Sequence, residues 1–344
     1  MAQRITLKHV AAQAGVSYQT VSKVLNKQVQ VSKETEERIM EAVRILGYRP
    51  NQVARNLRTQ RARLIGYTWA PTPSDQVNTI LDQFLQSMSQ AAESSGYHVL
   101  CFPHYFGQET IPAYRDLIDT QRVDAFVISS VEDNDPRITF LQERGFPFVA
   151  FGRSNPEWEF PYVDVDGADG MRRVTEHLLG LGHRRIAALA WPEASRVGRN
   201  RMEGYLGAMQ SAGITPLPGW IQRGEGNFKF GLEAAAAILD QPAGQRPTAI
   251  VAFNDYMAIG ALRAAQERGL QVGVDVAITG FDDIPMVQYL TPALTSLRQP
   301  IWDIGQRVIS ILLEILDNTQ PTDPHVLLAP QLVIRQSSNA VASA

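Results

Sequence analysis

The sequence predicts a small all-α domain at residues 1–48, followed by an α/β body with two doubly wound, parallel-sheet lobes at residues 64–340. Two observations support this fold class. Three short helical patterns fill the N-terminal part, and from Leu64 onward short apolar runs alternate with amphipathic stretches. Such alternation is typical of parallel sheets covered by helices on both faces. A third observation, the distribution of charge, separates the same two parts.

Charge is divided unevenly along the chain. Residues 1–63 contain 12 Lys or Arg against four Glu, whereas the remainder contains 20 basic and 31 acidic residues, within a net charge of −3. A basic module attached to an acidic body predicts that a polyanion binds at one end only. The alternative is a solvated basic arm.

Bulk composition favours a cytoplasmic globular protein. The 344 residues are enough for two or three domains, and 44% of them are hydrophobic. A single cysteine, Cys101, rules out an intramolecular disulfide, which suits a reducing compartment. We see neither a membrane-spanning apolar run nor a secretory signal, and we expect no membrane partner.

Local signals delimit three helices in the N-terminal module. The first, "TLKHVAAQA", begins with Thr6 as a cap and ends before Gly15. Ser17 is a suitable cap for "YQTVSKVLN", and Ser32 for "KETEERIMEAVRIL", after which Gly47 ends the helix. Ile39, Val43 and Leu46 recur on one face of the third helix. The side chains expected to complete a small core with them are Leu7, Val10, Ala11, Val16, Val21 and Val24.

The first two helices are separated by "GVS", a short turn that indicates a helix-turn-helix arrangement. The second helix then lies in a DNA major groove, with Tyr18, Gln19 and Lys23 facing the bases. Gln pairs with adenine and Lys donates to guanine, while Ser and Thr hydroxyls suit phosphates. The alternative is an ordinary polar helix face. The candidate DNA contacts in this module are Thr6, Ser17, Tyr18, Gln19, Thr20, Ser22, Lys23 and Asn26.

A basic segment at 49–63 follows and predicts a hinge helix and linker. Pro50 ends the preceding helix, and Asn51 can cap "QVARNLR". This segment is too short to be a stable isolated helix, so it is expected to fold on a polyanion. Leu57 can then enter a minor groove as an apolar wedge. The alternative is a linker whose Leu57 packs on a neighbouring domain. The candidate contacts here are Asn51, Ala54, Leu57 and Arg58.

Several motifs carry a specific resemblance. The stretches "TLKHVAAQAGVSYQTVSKVLN", "VSKETEERIMEAVRILGYRPNQVARNLR" and "EHLLGLGHRRIA" resemble the lactose-repressor/galactose-repressor family of bacterial transcription regulators over nearly the whole chain. The resemblance implies that Tyr18, Gln19 and Lys23 read the major groove and that Leu57 enters the minor groove at the centre of a palindromic operator. Lys23 stands where arginine is common, and lysine lacks the planar bidentate fork.

In the body, polar groups follow predicted strands, where doubly wound sheets bind ligands. Asn254 and Asp255 end "VAFND", and Asp282 and Asp283 end "ITGFDD". Helix capping is the alternative role for Asp255 and Asp283. "RVGRNRMEGY" provides Arg199 and Arg201. Together a carboxylate, an amide and a guanidinium can hold several hydroxyls, while the aromatic rings of Phe228 and Trp191 can stack on a sugar.

The family resemblance implies that the body is similar to a periplasmic sugar-binding protein, with two lobes, three crossovers and a cleft. Lobe one is expected at about 64–160 and 293–323, and lobe two at about 161–292 and 324–340. The loop 71–77 is expected to form a cleft wall. Arg201, Asn254 and Asp282 match the effector-contact motifs, Asp169 and Phe228 match them more loosely, and Trp191 completes the candidate effector site.

These observations predict a DNA-binding transcription regulator, a repressor controlled by a small molecule, expected to be a saccharide. One half-site reader per subunit implies a homodimer on a palindromic operator, and the C-terminal tail carries no leucine heptad for further assembly. A solute-binding protein without DNA regulation is the alternative. An enzyme is disfavoured, because we find no nucleotide fingerprint and no paired histidines at metal-ligand spacing. His177 and His183 are expected to be structural. No cofactor or metal is expected.

Overall fold

The computed structural model describes residues 5–25, 29–48, 61–69, 78–103, 110–242 and 244–339. The chain divides into two compact units, Met1–Ala62 and Arg63–Ala344. Most of the predicted hinge, including Asn51, Ala54, Leu57 and Arg58, lies outside the described residues, as does the loop 71–77.

The N-terminal unit contains the three predicted helices: α1 (Leu7–Ala14), α2 (Tyr18–Leu25) and α3 (Lys33–Leu46). Thr6 is the N-cap residue of α1. The Ser17 hydroxyl accepts the Thr20 backbone N–H at 3.0 Å, which satisfies one of the free donors at the start of α2. Gly15 and Gly47 end α1 and α3 with φ of 63° and 58°, a left-handed conformation that glycine adopts without strain.

A small apolar core holds this unit together. Val10 of α1, Val21 of α2 and Ile39 of α3 are fully buried and belong to one cluster. Leu7, Val16 and Val24 pack against that cluster. The predicted core residues therefore lie together, and α2 is anchored through its valines.

Short strands alternate with helices through the second unit. In chain order they are β1 (Leu64–Trp69), α4 (Thr79–Ser94), β2 (His98–Pro103), α5 (Ile111–Asp119), β3 (Ala125–Ile128), α6 (Pro136–Glu143), β4 (Phe148–Phe151), β5 (Tyr162–Val165), α7 (Gly167–Gly180), β6 (Ile186–Ala190), α8 (Arg196–Ser211), β7 (Ile221–Arg223), α9 (Phe228–Leu239), β8 (Ala249–Ala252), α10 (Asp255–Glu267), β9 (Ala277–Asp282), β10 (Thr295–Arg298), α11 (Ile301–Leu316), β11 (His325–Leu328) and β12 (Gln331–Val333).

Two six-stranded sheets form the two lobes. The sheet of lobe one has the order β11-β5-β4-β3-β1-β2, and every neighbouring pair is parallel. The sheet of lobe two has the order β12-β10-β9-β8-β6-β7, and it is parallel except for the antiparallel pair of β10 and β12. The strands β3, β6 and β8 are buried along their whole length, as expected of strands covered on both faces.

The boundaries expected for the lobes need correction. The strands β5 and β11 pair with each other in the sheet of lobe one, with Val163 opposite Val326, although both had been expected in lobe two. The strand β10 pairs with β9 in lobe two, not in lobe one. The chain therefore crosses between lobes after β5, after β10 and between β11 and β12. These crossovers come later in the chain than expected because β5, β10 and β11 contain polar residues and so give no continuous apolar signal.

Among the described residues, no helix is long and apolar enough to cross a membrane.

Candidate functional site

The polar face of α2 is exposed, as its sequence predicts. Ser17, Gln19 and Lys23 are exposed, and half of the Tyr18 side chain surface is accessible. On the opposite face, Val21 is fully buried. The helix therefore presents hydrogen-bonding side chains on a rigid support, which is the arrangement needed to contact base edges.

Other candidate DNA contacts surround this face. Thr6 is exposed before α1, where its backbone N–H donates to His9 Nδ1 at 3.2 Å. Thr20 and Ser22 are half-buried, and the Thr20 hydroxyl lies 2.8 Å from the Ser17 hydroxyl. Asn26 lies outside the described residues.

A cavity of about 340 Å³ lies between the two lobes of the body. Its walls are formed at the carboxyl ends of β3, β4 and β5 in lobe one and of β6, β8 and β9 in lobe two. This is the position at which doubly wound sheets bind ligands. The polar and aromatic lining residues are Asn78, Thr79, Ser130, Phe151, Asp164, Trp191, Arg196, Asn200, Arg201, Asn254, Tyr256, Asp282 and Gln299.

Arg201 forms one wall of this cavity from α8. Its guanidinium carbon lies 4.8 Å from the ring centre of Trp191 and 3.5 Å from that of Phe281, so two aromatic faces contact the cation. Nη1 donates to the Phe253 carbonyl, while Nε, among the described residues, has no hydrogen-bond partner. Burial lowers the pKa of Arg201 to about 10. The group still carries its charge at neutral pH and has a donor available for a ligand.

Asp282, the last residue of β9, faces Arg201. Its Oδ1 lies 3.8 Å from Arg201 Nη2 and accepts a hydrogen bond from Gln299 Nε2 at 2.6 Å. Burial raises the pKa of Asp282 to about 6, and Arg201 and Gln299 oppose that rise. Its acidic oxygens can therefore accept hydrogen bonds inside the cavity at neutral pH.

Asn254 is oriented by two hydrogen bonds. Its Oδ1 accepts the Met257 N–H at 2.8 Å and caps α10, while Nδ2 donates to the Gly226 carbonyl at 2.7 Å. A Cβ atom at Gly226 would lie 2.2 Å from Trp191 Nε1, so this close approach requires glycine. The amide of Asn254 is thus fixed in the cavity wall beside Trp191.

Unusual backbone conformations occur where three strands meet the cavity. Ser130, Gly152 and Asp282 have φ of 53°, 121° and 118°. Two of these residues are not glycine, and such conformations persist only where the surrounding structure stabilises them. They occur often at ligand-binding sites, which agrees with the position of the cavity.

Four of the six candidate effector residues, Trp191, Arg201, Asn254 and Asp282, thus line one cavity. The other two do not line it. Asp169 lies in the first turn of α7 and pairs with Arg172 and Arg173 at 2.5 and 2.6 Å. Phe228 begins α9, and 42% of its surface is accessible.

The neighbouring aspartates have structural contacts. Asp255 is fully buried and accepts hydrogen bonds from Ile284 N at 2.8 Å and Ser296 Oγ at 2.6 Å. Asp283 pairs with Arg298 and Arg335, each at 2.7 Å. Their expected alternative role was capping, but the observed contacts join loops and strands of lobe two.

The remaining polar residues singled out in the sequence also have protein partners. His177 lies 3.0 Å from the Ser338 hydroxyl and His183 lies 2.9 Å from the Thr248 hydroxyl. Arg199 pairs with Asp133 outside the cavity lining. Within the described ranges, no group of three or more His, Cys, Asp or Glu is arranged to hold a metal ion.

Sequence reasoning missed several residues that line the cavity: Asn78, Ser130, Asp164, Arg196, Asn200, Tyr256 and Gln299. Arg196 and Asn200 had a detectable signal, since they lie four residues apart on the helix that carries Arg201. Asp164 lies in β5, a strand that the sequence pattern did not reveal.

The fold and the cavity define a class, a DNA-binding regulator with an effector-binding body. Family models agree with both parts. Residues 6–51 match the description "Bacterial regulatory proteins, lacI family", and residues 175–338 match "Periplasmic binding protein-like domain".

A similar curated protein is the HTH-type transcriptional repressor PurR of Edwardsiella ictaluri, which is 32% identical over 334 residues, 96% of each chain. Among solved structures, a LacI-family regulatory protein from Chloroflexus aggregans is 53% identical, with a TM-score of 0.78 over 80% of this chain and 98% of that one. The lac repressor dimer bound to operator and the anti-inducer ONPF is 29% identical, with a TM-score of 0.83 over 98% and 99% of the chains.

A complex of the transcriptional regulator CelR with cellobiose is 30% identical, with a TM-score of 0.72 over 97% of this chain and 100% of that one.

The chain belongs to the LacI family and is a DNA-binding transcriptional repressor. The match of residues 6–51 contradicts the alternative of a solute-binding protein without DNA regulation.

Proposed function

We propose that a neutral saccharide bound between the two lobes controls the operator affinity of this repressor. The observation that carries the proposal is the lining of the cavity, which combines the aromatic rings of Trp191 and Tyr256 with the Arg201–Asp282 pair. Aromatic faces suit the apolar face of a sugar ring. The Arg201 guanidinium, the Asp282 carboxylate and the Asn254 amide suit its hydroxyls.

The charges of the cavity favour a neutral ligand. Each of its two arginines has a carboxylate within 4 Å: Arg201 lies 3.8 Å from Asp282, and Arg196 lies 3.5 Å from Asp164. A phosphate or carboxylate ligand would have to compete with these carboxylates. The cavity of about 340 Å³ lies at the lower end of the range for small-ligand sites, which agrees with one or two sugar rings. The complex of the similar CelR with cellobiose also supports a saccharide.

On the DNA side, we propose that Tyr18, Gln19 and Lys23 contact base edges and that Ser17 contacts phosphate. One recognition helix per subunit fits a homodimer on a palindromic operator. The lac repressor structure, a dimer on operator, supports this arrangement for a similar chain.

Because the saccharide and the operator bind to different parts of the chain, their coupling requires two states with different affinities. Effector binding changes the orientation of the lobes, and through it the spacing of the two "NQVARNLR" segments of the dimer. Leu57 of this segment enters the minor groove when the operator is bound.

The test begins with selection of operator sequences by the full-length protein from random duplexes. Fluorescence anisotropy on the selected operator then measures affinity across a panel containing cellobiose, other neutral sugars, sugar phosphates and purine bases. We expect a palindromic operator and a change of affinity only with a neutral sugar. A response confined to a sugar phosphate or a purine would overturn the saccharide proposal, whereas a non-palindromic operator would overturn the dimer.

Hydrogen exchange of residues 51–59 tests the coupling. We expect bound operator to protect these backbone amides from exchange, and we expect the degree of protection to change when the effector sugar is added. Equal, strong protection in the free, operator-bound and sugar-bound protein would contradict it.

A further inference from the structure

Two charged side chains extend across the cleft from lobe two to lobe one. One lies outside the effector cavity and the other at its edge. Arg196 and Arg199 lie in the first turn of α8 in lobe two. Their partners belong to lobe one, in the segments that follow β3 and β4 and in β5. These contacts connect the lobes in addition to the three crossover segments, so they bear directly on whether the cleft is closed.

Arg196 is the central residue of this set. Its backbone N–H donates to Glu132 Oε2 at 2.7 Å, Nε donates to the Ser154 carbonyl at 3.3 Å, and Nη1 lies 3.5 Å from Asp164 Oδ2. The side chain is 14% exposed, so these contacts are largely shielded from solvent. Because Arg196 also lines the cavity, the residue that connects the lobes is itself part of the ligand site.

Arg199 adds a second connection one helical turn away. Its Nη2 pairs with Asp133, while Nη1 donates to the carbonyls of Glu193 and Ala194 at 2.9 and 3.0 Å. The two backbone contacts hold the guanidinium on lobe two and direct its other nitrogen toward lobe one. Orienting the guanidinium in this way reduces the entropy lost on pairing with Asp133.

The lobe-one side is also preorganised. Asp164 Oδ1 accepts the Val165 N–H at 2.8 Å, and Oδ2 accepts Arg153 Nε at 2.8 Å in addition to facing Arg196. The Ser154 hydroxyl donates to the Glu132 carbonyl at 2.8 Å, which ties the segments after β3 and β4 together. Asp164 and the Ser154 segment, which receive the Arg196 side chain, are thus held by contacts within lobe one.

We propose that Arg196 and Arg199 form a clasp, defined by their contacts with Glu132, Asp133, Ser154 and Asp164, that holds the lobes together before the effector binds. The clasp makes these two arginines positioning residues for the effector cavity, since the cavity has both walls only when the lobes are apposed. One consequence of this role rests on the proposed function: the clasp lowers the effector concentration that produces half of the maximal response. The clasp itself is a property of the free protein and can be measured without effector or DNA.

Pulsed electron–electron double resonance measures the distance between two spin labels, one placed on each lobe. Spin labels are attached to Thr139→Cys on α6 and Glu203→Cys on α8, both exposed positions, in a Cys101→Ser background that removes the single native cysteine. Arg199→Asp and Asp133→Arg are introduced singly and together. Each single variant should shift population from the short to a longer interlobe distance, and the double variant, which restores an opposite pair, should recover the wild-type distribution.

A matched control is Arg144→Asp, which breaks the pair of Arg144 with Asp119 inside lobe one, where the arginine side chain is 40% exposed, as is that of Arg199. It should leave the interlobe distance unchanged. Arg196→Ala should produce the longer distance as the Arg199 variant does. Distances unchanged in the Arg199 and Arg196 variants, or a double variant that remains open, would overturn the clasp. If no neutral sugar of the panel changes operator affinity while the interlobe distances show an intact clasp, only the proposed effector is overturned.

Discussion

The recognition face of α2 and the cavity between the lobes both present polar side chains, but they stabilise those side chains differently. Gln19 and Lys23 are exposed on a helix whose other face supplies Val21 to the core. Arg201 is buried and the Asp282 side chain is 13% exposed, and their charges are stabilised by each other, by the aromatic rings beside Arg201 and by the Gln299 amide. Changes on α2 should therefore alter binding with little effect on folding, whereas changes in the cavity should alter both.

A substitution in the cavity should have the largest effect, a loss of affinity for the effector sugar. Arg201→Ala removes the cation from two aromatic faces and leaves Asp282 buried without its opposing charge. Losing a hydrogen bond from a charged donor to the ligand costs about 1.5–3 kcal/mol, and each 1.4 kcal/mol is about tenfold in affinity. We therefore expect the affinity for the effector sugar, measured by titration calorimetry, to fall by about one to two orders of magnitude, while operator affinity without effector stays nearly unchanged.

Asp169→Asn is the control for this comparison, because Asp169 pairs with Arg172 and Arg173 outside the cavity lining. It should leave sugar affinity close to that of the wild type. If Arg201→Ala, shown to be folded, binds the sugar as tightly as the wild type, the cavity is not the effector site. A large loss in Asp169→Asn would extend the site beyond the cavity.

The second effect concerns pH. Burial raises the pKa of Asp282 from 3.8 to about 6, so the folded protein holds this proton more tightly than the unfolded chain does. Stability should therefore fall as pH rises from about 4 to about 6 and level off above, since the folded state then contains a buried carboxylate. At about 1.4 kcal/mol per pKa unit the change amounts to at most about 3 kcal/mol.

Asp282→Asn lacks the titrating group, so it removes this contribution together with the effect of the Asp282 charge on the raised pKa of the neighbouring Asp255. Equilibrium unfolding in urea at a fixed protein concentration, repeated between pH 4 and 7, gives the free energy of unfolding of each protein. The free energy of the variant relative to the wild type should increase as pH rises through this window. Parallel curves for the two proteins would show that Asp282 does not titrate there.

The same contrast explains what the sequence could predict. Helices α1 to α3 depend on local signals, namely the caps Ser17 and Ser32 and the glycines after α1 and α3, so their bounds follow from neighbouring residues. In the body, the apolar strands that precede Asn254 and Asp283, β8 and β9, were also predicted. The short strands β7, β10 and β12 contain polar residues and give no continuous apolar run, so pairing with a neighbouring strand defines them.

The cavity required tertiary information. Arg201 and Asp282 were found because each follows a predicted strand, but their 3.8 Å separation depends on how two distant segments pack. Asp169 was expected to join them, yet helical geometry places its carboxylate beside Arg172 and Arg173. The spacing of Arg196 on α8 could have identified it as a cavity residue, but its partners lie in the other lobe, and sequence spacing carries no information about them.

On the DNA side, the expected effect is smaller and more specific. Gln19→Ala should cost about 1–3 kcal/mol at one operator position and relax the base preference there, since a bidentate amide contact is lost. Gln13→Ala, also exposed but on α1, is the control. Operator selection followed by anisotropy on single-base variants measures both. Recovery of the wild-type operator at unchanged affinity with Gln19→Ala would remove Gln19 from the base contacts.

The smallest effect separates folding from binding at a single hydroxyl. Ser17 caps α2 by accepting the Thr20 N–H at 3.0 Å, and it is also a candidate phosphate contact. Ser17→Ala loses the cap, which costs about 1 kcal/mol, so amides of α2 should exchange hydrogen about fivefold faster in the full-length protein. Ser17→Asp keeps a capping oxygen and places a negative charge at the helix N-terminus, which favours folding.

The two variants therefore predict opposite orders in two measurements. Hydrogen exchange should rank Ser17→Asp as at least as stable as Ser17→Ala, because only the alanine lacks a cap acceptor. Operator affinity should rank Ser17→Asp below Ser17→Ala, because the new carboxylate repels the phosphate that the hydroxyl would contact. If both variants bind operator as the wild type does, Ser17 acts only as a cap. The DNA-contacting face of α2 then begins at Tyr18, and the Ser17 hydroxyl contributes only to the folding of α2.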